Sequence, residues 1–181
     1  MRWMYLFADL EAQAAAAAKA ERDGEVAERV RIETGRITLL ARLTGAVGHA
    51  ISLRCIGLGH CNGRLDQVGR DWLLITEPSG LETLVPMWSL LGVGGLGRHS
   101  TEVETSPVEL GLRSALRGVV RDRSPVRLVL TDGTPVDGTL DRVGADYVEI
   151  AEHPLGEPRR PGVIRGVRTV PLAGVAALRR W

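Results

Sequence analysis

Cysteine, lysine, aromatic residues and long apolar runs are all scarce in this chain of 181 residues. Two cysteines cannot build a disulfide framework. The longest weakly polar run, residues 84–97, is too short and too rich in glycine for a membrane-spanning helix. The N-terminus carries two acidic residues within its first eleven and lacks a cleavage site, which a secretory signal would need. We therefore expect a cytoplasmic protein with no membrane partner.

The charge balance excludes the strongly basic and strongly acidic classes of protein. The chain holds 23 basic and 22 acidic residues, so its formal net charge is +1. A hydrophobic fraction of 44% with 25% charged residues is typical of a chain that buries a core, which excludes a disordered tail protein. Residues 106–181 carry 12 arginines and 9 acidic residues, a balance too weak by itself to require a polyanionic partner.

An internal repeat is the most informative feature of the sequence. Residues 63–75, GRLDQVGRDWLLI, match residues 138–150, GTLDRVGADYVEI, at an offset of 75. Farther along, TLVPMWSL at 83–90 matches RTVPLAGV at 168–175 at an offset of 85. The ten extra residues, 153–162, are rich in proline and glycine and indicate a loop. The order and extent of these matches predict a duplicated unit.

Each repeat is predicted to be mostly β-structure. In the second repeat, alternating apolar residues and turn residues predict strands over about 126–130, 136–143, 147–151, 166–170 and 175–178. Asp132-Gly133 predicts a tight turn between the first two strands, and PLAGV predicts a single 3₁₀ turn before the last. Five short strands of this kind predict a small closed barrel.

A helix is predicted before each barrel. Ser106-Pro107 is a typical helix start, and Leu112, Leu116 and Val119 follow at helical spacing. Residues 34–46 show similar spacing, and the alanine-rich residues 4–33 predict one longer helix. We expect these segments along the chain: 1–33, N-terminal helical segment; 34–91, first barrel with its leading helix; 92–106, linker; 107–181, second barrel with its leading helix.

The sequence LTDGTPVDGTLDRV at 130–143 resembles the first motif of Sm-like proteins of the Hfq/LSm type. Gly133 and Gly138 match the two glycines of that motif, and V-P-L-x-x-V at 170–175 resembles the last two strands. The resemblance implies tandem Sm-like barrels, diverged from the RNA-binding motifs, and single-stranded RNA binding, often in rings formed by pairing edge strands. It also implies an Arg-Gly near the fourth strand, which Ile164-Arg165-Gly166 resembles just before that strand.

Together these patterns predict the fold class. We expect a mostly β protein with some α-structure: two tandem five-stranded SH3/Sm-like barrels, each preceded by a helix, plus a long N-terminal helix.

Residues that could carry metal or catalytic chemistry have simpler structural explanations. Cys55 and Cys61 could bind zinc with His49 and His60, but both cysteines align with apolar core positions of the second repeat. Two repeated aspartate pairs could serve as catalytic carboxylates, but aspartate beside glycine is typical of turns. The pairs are Asp66 with Asp141 and Asp71 with Asp146. No nucleotide-binding, hydrolase or metalloprotease motif is present. We expect no enzyme, catalytic residue, metal, cofactor or small-molecule substrate.

Arginines in the second half are the candidate nucleic-acid contacts, because guanidinium groups suit phosphate oxygens. A solvated surface paired with nearby acids is the alternative. The candidates for phosphate contact are Arg121, Arg123, Arg127, Arg159, Arg160, Arg165 and Arg168. They favour a non-enzymatic, RNA-associated regulatory protein that contacts the phosphate backbone of single-stranded RNA. DNA binding through the basic helix 107–123 is weaker, because no second helix lies at helix-turn-helix spacing.

Outward-facing apolar residues favour a protein-interaction module as the alternative function. Strand alternation places Trp72 and Leu74 on the outside of the first barrel, and Trp88 aligns with an alanine in the second repeat. These three residues are the candidate protein interface, with a protein partner or a second copy of the chain. The competing explanation is that the N-terminal helix or the other barrel covers them.

Overall fold

The structure is a computed structural model, and the residues it describes are 7, 11, 13, 15–16, 19, 21–24, 28–29, 31–32, 34–97, 110–157, 159–160 and 162–180. The chain separates into two compact units, Met1–Thr38 and Leu39–Trp181, and the second unit contains both repeats. None of the helices in the described residues is long and apolar enough to cross a membrane.

The described residues of the second unit contain ten strands, two α-helices and two 3₁₀ turns. The helices are α1 (Leu39–Thr44) and α2 (Leu112–Asp122), and the 3₁₀ turns are Met87–Ser89 and Leu172–Gly174. The strands are β1 (Ala50–Cys55), β2 (Gly59–Val68), β3 (Trp72–Thr76), β4 (Glu82–Pro86), β5 (Leu90–Gly94), β6 (Pro125–Leu130), β7 (Pro135–Val143), β8 (Tyr147–Glu152), β9 (Gly166–Pro171) and β10 (Val175–Arg180). The five strands and the 3₁₀ turn predicted for the second repeat are confirmed.

The prediction of two closed five-stranded barrels is wrong. All ten strands form one open antiparallel sheet in the order β5-β1-β2-β3-β4-β10-β6-β7-β8-β9. The two repeats are joined by β4 and β10, which pair from Leu84↔Leu178 to Glu82↔Arg180. Strands β4 and β10 therefore satisfy each other's backbone hydrogen bonds. Alternation within a strand does not carry this information, since it reports the buried face and not the neighbouring strand.

The repeats nevertheless occupy equivalent places in the sheet. Each half runs in the order last, first, second, third and fourth strand. The second strand of each half has a register shift at the same repeat position, between Leu65 and Gln67 and between Leu140 and Arg142. Just before each shift lies a glycine against the third strand: a Cβ on Gly138 would overlap the carbonyl oxygen of Ala151. The repeated glycine is thus explained by the close approach of two backbones.

The long N-terminal helix is a further prediction that the structure does not bear out. Most of residues 1–33 lie outside those described, and the described ones are helical and exposed. They form no single long helix, and the first helix with bounds in the described residues is α1. Helix propensity, here from an alanine run, is a weak predictor without an apolar face to pack.

The linker and the leading helices are shorter than predicted where the structure describes them. Strand β5 takes up residues 90–94, and the rest of the predicted linker lies largely in 98–109, outside the described residues. The helix start predicted at Ser106-Pro107 lies there too. Helix α2 begins at Leu112, with Leu112 and Leu116 buried as their spacing predicted.

Two large apolar cores and one small cluster lie against the sheet, and the large cores are not divided by repeat. One core consists of first-repeat residues such as Leu43, Leu53 and Ile75. The other centres on second-repeat residues but also includes Trp72 and Leu84 from the first repeat. Strand β3 is therefore covered on both faces, because alternate side chains enter different cores.

Candidate functional site

Three of the seven candidate arginines are bound to carboxylates. Arg127 makes two hydrogen bonds to Asp137, at 2.7 and 2.8 Å, and these raise the pKa of its guanidinium. Two further pairs complete this set: Arg159–Asp141 at 2.8 Å and Arg168–Glu152 at 2.8 Å. These guanidinium groups are directed at neighbouring acids, as the alternative explanation from the sequence had it.

The other four candidate arginines, Arg121, Arg123, Arg160 and Arg165, are exposed. The described residues place no carboxylate within salt-bridge distance of them. Arg123 ends α2, and Arg165 lies just before β9, where its backbone N–H donates to the Glu152 carbonyl at 2.9 Å. The loop with Arg160 and Arg165 leaves the end of β8 opposite the β7–β8 turn. The two cavities described below do not gather the seven arginines: Arg121 lines the first, and none of the seven lines the second.

The predicted interface residues have different surroundings. Trp72 is 4% exposed, packs in the second core and donates its indole N–H to the Leu110 carbonyl at 2.7 Å. Leu74 is half-buried against the same core. The second repeat thus covers this face, the competing explanation considered above. Trp88 remains 41% exposed, with its indole N–H bonded to the Val175 carbonyl at 3.0 Å.

The two cysteines are core residues, as the repeat alignment predicted. Cys55 and Cys61 are buried, and both are free thiols. Burial raises the pKa of Cys55 to about 11 and, with the hydrogen bond to Glu77, that of Cys61 to about 12. Thiols with such high pKa values are poor nucleophiles and poor metal ligands at neutral pH. The described residues contain no cluster of three or more metal-ligating side chains.

The repeated aspartates divide into two groups. Asp66 and Asp141 lie on strands at the register shifts and bind Arg64 and Arg159, so they are not turn residues. Asp71 and Asp146 lie in the turns before β3 and β8, as predicted. Their backbone carbonyls accept equivalent hydrogen bonds from Met87 and Leu172, at 2.9 and 2.7 Å.

A first cavity, of about 340 Å³, lies between the repeats. Its floor is apolar and includes Trp72, Leu84 and Val119. At its rim Arg180 binds both Glu82 and Asp122. Arg121 also lines the cavity, and no described carboxylate lies within salt-bridge distance of it. This cavity therefore offers one arginine, but its aromatic residue, Trp72, is buried and gives no exposed ring for a ligand to stack on.

A second cavity, of about 430 Å³, lies where four turns of the two repeats meet the start of α2. We call it the Trp88 cavity. Its lining comprises Arg70, Asp71, Trp88, Leu112, Arg113, Ala145, Leu172 and Ala173. These residues come from the two equivalent turns before β3 and β8, the two 3₁₀ turns and the first two residues of α2.

The two repeats contribute unequally to this cavity. The first repeat supplies Arg70 and Trp88, and the second has alanine at both equivalent positions, 145 and 173. The small alanine side chains leave open the space that a second arginine and a second tryptophan would fill. The cavity therefore combines long side chains from one repeat with room left by the other.

The electrostatics of the Trp88 cavity favour an anionic ligand. Arg70 and Arg113 are exposed, and no described carboxylate lies within salt-bridge distance of either. Arg113 donates a hydrogen bond of 3.3 Å to the Ala145 carbonyl, which directs its guanidinium across the cavity. The acidic side chain in the lining, Asp71, is occupied with the backbone N–H of Leu112 at 2.6 Å. In a cavity lined by an exposed indole and two guanidinium groups, the indole can stack a planar ring and the guanidinium groups can bind phosphate oxygens.

Sequence reasoning identified Trp88 but missed Arg70 and Arg113. The sequence did contain a signal for Arg70. The repeats differ at Arg70 and Trp88, where the second repeat has alanine at both positions. A duplication frees one copy to diverge, so such differences indicate where function can reside. Arg113 carries no such signal, because only the packing of α2 on the turns brings it to the cavity.

The chain was compared with protein-family models, curated proteins and solved structures, and none of them matches it.

Proposed function

We propose that the protein is a non-enzymatic binding protein for single-stranded RNA and that the Trp88 cavity holds one nucleotide of the bound strand. The observation that carries the proposal is the exposed Trp88 indole beside two arginines without carboxylate partners. Bases stack on tryptophan for about 1–3 kcal/mol each, and guanidinium groups bind the flanking phosphates. The resemblance to Sm-like proteins points to the same class of ligand.

The proposed site differs from the one expected from the sequence. The sequence predicted that arginines alone contact the phosphate backbone. In the Trp88 cavity one aromatic residue and two arginines act together. The ion pairs of Arg127, Arg159 and Arg168 make these residues poor phosphate ligands, because a phosphate would have to displace a carboxylate.

Fluorescence anisotropy with a labelled oligouridylate of about twelve nucleotides tests the proposal, at salt concentrations from about 50 to 200 mM. We expect Trp88→Ala to weaken binding by about tenfold through lost stacking. The double variant Arg70→Ala/Arg113→Ala should weaken binding and lower the salt dependence by one to two phosphate contacts, about 0.7 to 1.4 in slope.

The matched control is Arg160→Ala/Arg165→Ala, which removes the same charge from exposed positions away from the cavity. We expect it to change affinity little. Absence of binding by the unaltered protein at low salt, or an equal loss in both double variants, would discard the proposal.

Self-association is the second candidate function, and the sheet edges favour it. Strand β5 pairs only with β1, and β9 only with β8, so the described sheet ends in two free edges. These are the fifth strand of the first repeat and the fourth strand of the second. The internal junction already pairs strands of these two kinds, β4 with β10. A second copy could therefore pair its β5 with β9 in a head-to-tail arrangement.

Light scattering across a concentration series distinguishes this candidate from a monomer. Val167 on β9 is 61% exposed, and Val167→Asp places a charge on that edge. We expect the molar mass of the unaltered protein to exceed that of one chain, and the molar mass of the variant to equal that of one chain. A monomer at about 100 μM, well above the micromolar constants of weak interfaces, would reject self-association.

A further inference from the structure

Asp71 is hydrogen-bonded to two of the elements that form the Trp88 cavity. Its carboxylate Oδ1 accepts the backbone N–H of Leu112 at 2.6 Å, and its backbone carbonyl accepts the N–H of Met87 at 2.9 Å. Arg113 follows Leu112, and Trp88 follows Met87. One residue thus ties the arginine on α2 to the tryptophan in the 3₁₀ turn.

Helix α2 depends on this contact because it lacks a cap of its own. The residue before the helix is Gly111, which has an extended backbone and no side chain to accept a hydrogen bond. The first N–H groups of a helix need acceptors from outside it. Asp71 supplies one from 41 positions earlier in the chain, in the manner of an N-cap aspartate. The Trp72 indole, bonded to the Leu110 carbonyl, holds the same stretch of chain.

The second repeat provides an internal comparison. Asp146 makes the equivalent backbone contact, accepting the N–H of Leu172 at 2.7 Å. Its side chain is exposed and caps neither of the helices bounded in the described residues. The backbone role is therefore common to both repeats, and the side-chain role belongs to Asp71.

We propose that Asp71 is a positioning residue for the RNA site, holding Arg113 and Trp88 in the arrangement that binds one nucleotide. The inference rests on the function proposed above. Asp71 is the acidic side chain of the cavity, and its charge alone would repel phosphate and weaken RNA binding. A positioning role requires that loss of this carboxylate weakens binding, whereas a purely electrostatic role requires that it strengthens binding.

Two substitutions at one position separate these roles. Asp71→Asn removes the charge but keeps an oxygen that can accept the Leu112 N–H, since asparagine is as good a cap as aspartate. Asp71→Ala removes both. With the labelled oligouridylate, we expect Asp71→Ala to bind about five- to tenfold more weakly than the unaltered chain. Asp71→Asn should bind at least as tightly as the unaltered chain, which is rescue by the conservative variant.

Asp146→Ala is the matched control, because it removes the same carboxylate from the equivalent turn. We expect it to leave affinity unchanged or slightly raised. Equal or tighter binding by Asp71→Ala relative to Asp71→Asn would overturn the positioning role.

Amide hydrogen exchange gives a readout that needs no RNA. We expect faster exchange at Leu112 in Asp71→Ala, and ordinary exchange there in Asp71→Asn and Asp146→Ala. Met87 should exchange at the same rate in all of these proteins, because its N–H is bonded to the backbone carbonyl of residue 71, which every variant keeps. If the unaltered chain fails to bind the oligouridylate, the proposed function is lost, and exchange at Leu112 still decides whether the Asp71 carboxylate fixes the start of α2. Unchanged exchange at Leu112 in Asp71→Ala would overturn the positioning role whether or not RNA binds.

Discussion

Glu77 shows how single residues join the two repeats. Its carboxylate accepts hydrogen bonds from the Thr83 hydroxyl at 3.0 Å, the Cys61 thiol at 3.3 Å and the Arg179 guanidinium at 2.5 Å. Arg179 lies on β10, so this contact crosses the junction between repeats. The equivalent acid in the second repeat, Glu152, instead binds Arg168 within its own repeat. The same carboxylate thus acquired different partners after duplication.

We expect Glu77→Gln to lower the free energy of unfolding by about 1–2 kcal/mol at pH 7. Burial alone would raise the pKa of Glu77, but the hydrogen bonds from Arg179, Cys61 and Thr83, with the Arg179 charge, bring it below its ordinary value of 4.5. A depressed folded-state pKa contributes stability that is complete above the ordinary value and is lost as pH falls through the folded value. Urea unfolding from pH 7 downward measures this loss.

Glu149→Gln is the control for that experiment, since Glu149 lies 3.6 Å from an exposed Arg142. Surface pairs of this kind contribute about 0–1 kcal/mol. The acid-dependent loss of stability should be smaller in Glu77→Gln than in the unaltered chain and unaltered in Glu149→Gln. An equal pH profile for all three proteins would contradict the role of Glu77.

Among the elements, α2 has one end capped from a distance and the other under backbone strain. At its C-terminal end, Arg123 has φ 56° and ψ 17°, a left-handed conformation. It is the one non-glycine residue with positive φ in the described part of the chain. Its N–H donates to the Val119 carbonyl at 3.1 Å and closes the helix. A residue predicted to contact phosphate thus occupies a position that favours glycine.

We expect Arg123→Gly to raise the free energy of unfolding by about 0.5–1 kcal/mol, because glycine adopts this conformation without a Cβ clash. Arg121→Gly, inside the last turn of the helix, should lower it by about 1 kcal/mol. Thermal unfolding of both variants checks the two signs. A loss of stability in Arg123→Gly would mean that the arginine side chain contributes more than its backbone strain costs.

At the scale of the whole second unit, the described strands form a single sheet whose two larger apolar cores share strand β3. Trp72 and Leu84 of the first repeat pack in the core of the second repeat, and β4 pairs with β10. The repeats are therefore adjacent parts of one sheet, and we expect them to unfold together. This arrangement also gathers four turns at one end of the sheet, where neither repeat alone would form the Trp88 cavity.

We expect Trp72→Ala to destabilise both repeats together, by about 3–5 kcal/mol, although the residue belongs to the first. Far-ultraviolet circular dichroism and tryptophan fluorescence should report one coincident denaturant transition. Leu91→Ala, at a position 61% exposed, should change stability by less than about 0.5 kcal/mol. Two separated transitions in Trp72→Ala would show that the repeats unfold independently.

Local patterns predicted strands and turns, but neither the single open sheet nor most of the site. The turn at Asp132-Gly133 has the expected left-handed glycine, with φ 89°, and Cys55 and Cys61 are buried as their repeat positions indicated. Alternation correctly placed Trp72 on the opposite face of its strand from Leu73 and Ile75. It could not predict that the second repeat covers that face. Arg70 and Arg113 lie 43 positions apart and share a cavity only because α2 packs on the turn before β3.

The sequence by itself determined the duplication, the strands of the second repeat and the turns between them. Each depends on side-chain alternation or on a glycine or proline acting on its immediate neighbours. Only the tertiary structure decided that the repeats share one open sheet, that arginines on neighbouring strands are bound to acids, and that four turns surround Trp88. Strands join through backbone hydrogen bonds that are chemically alike in every strand, so packing of side chains distant in sequence selects which edges meet.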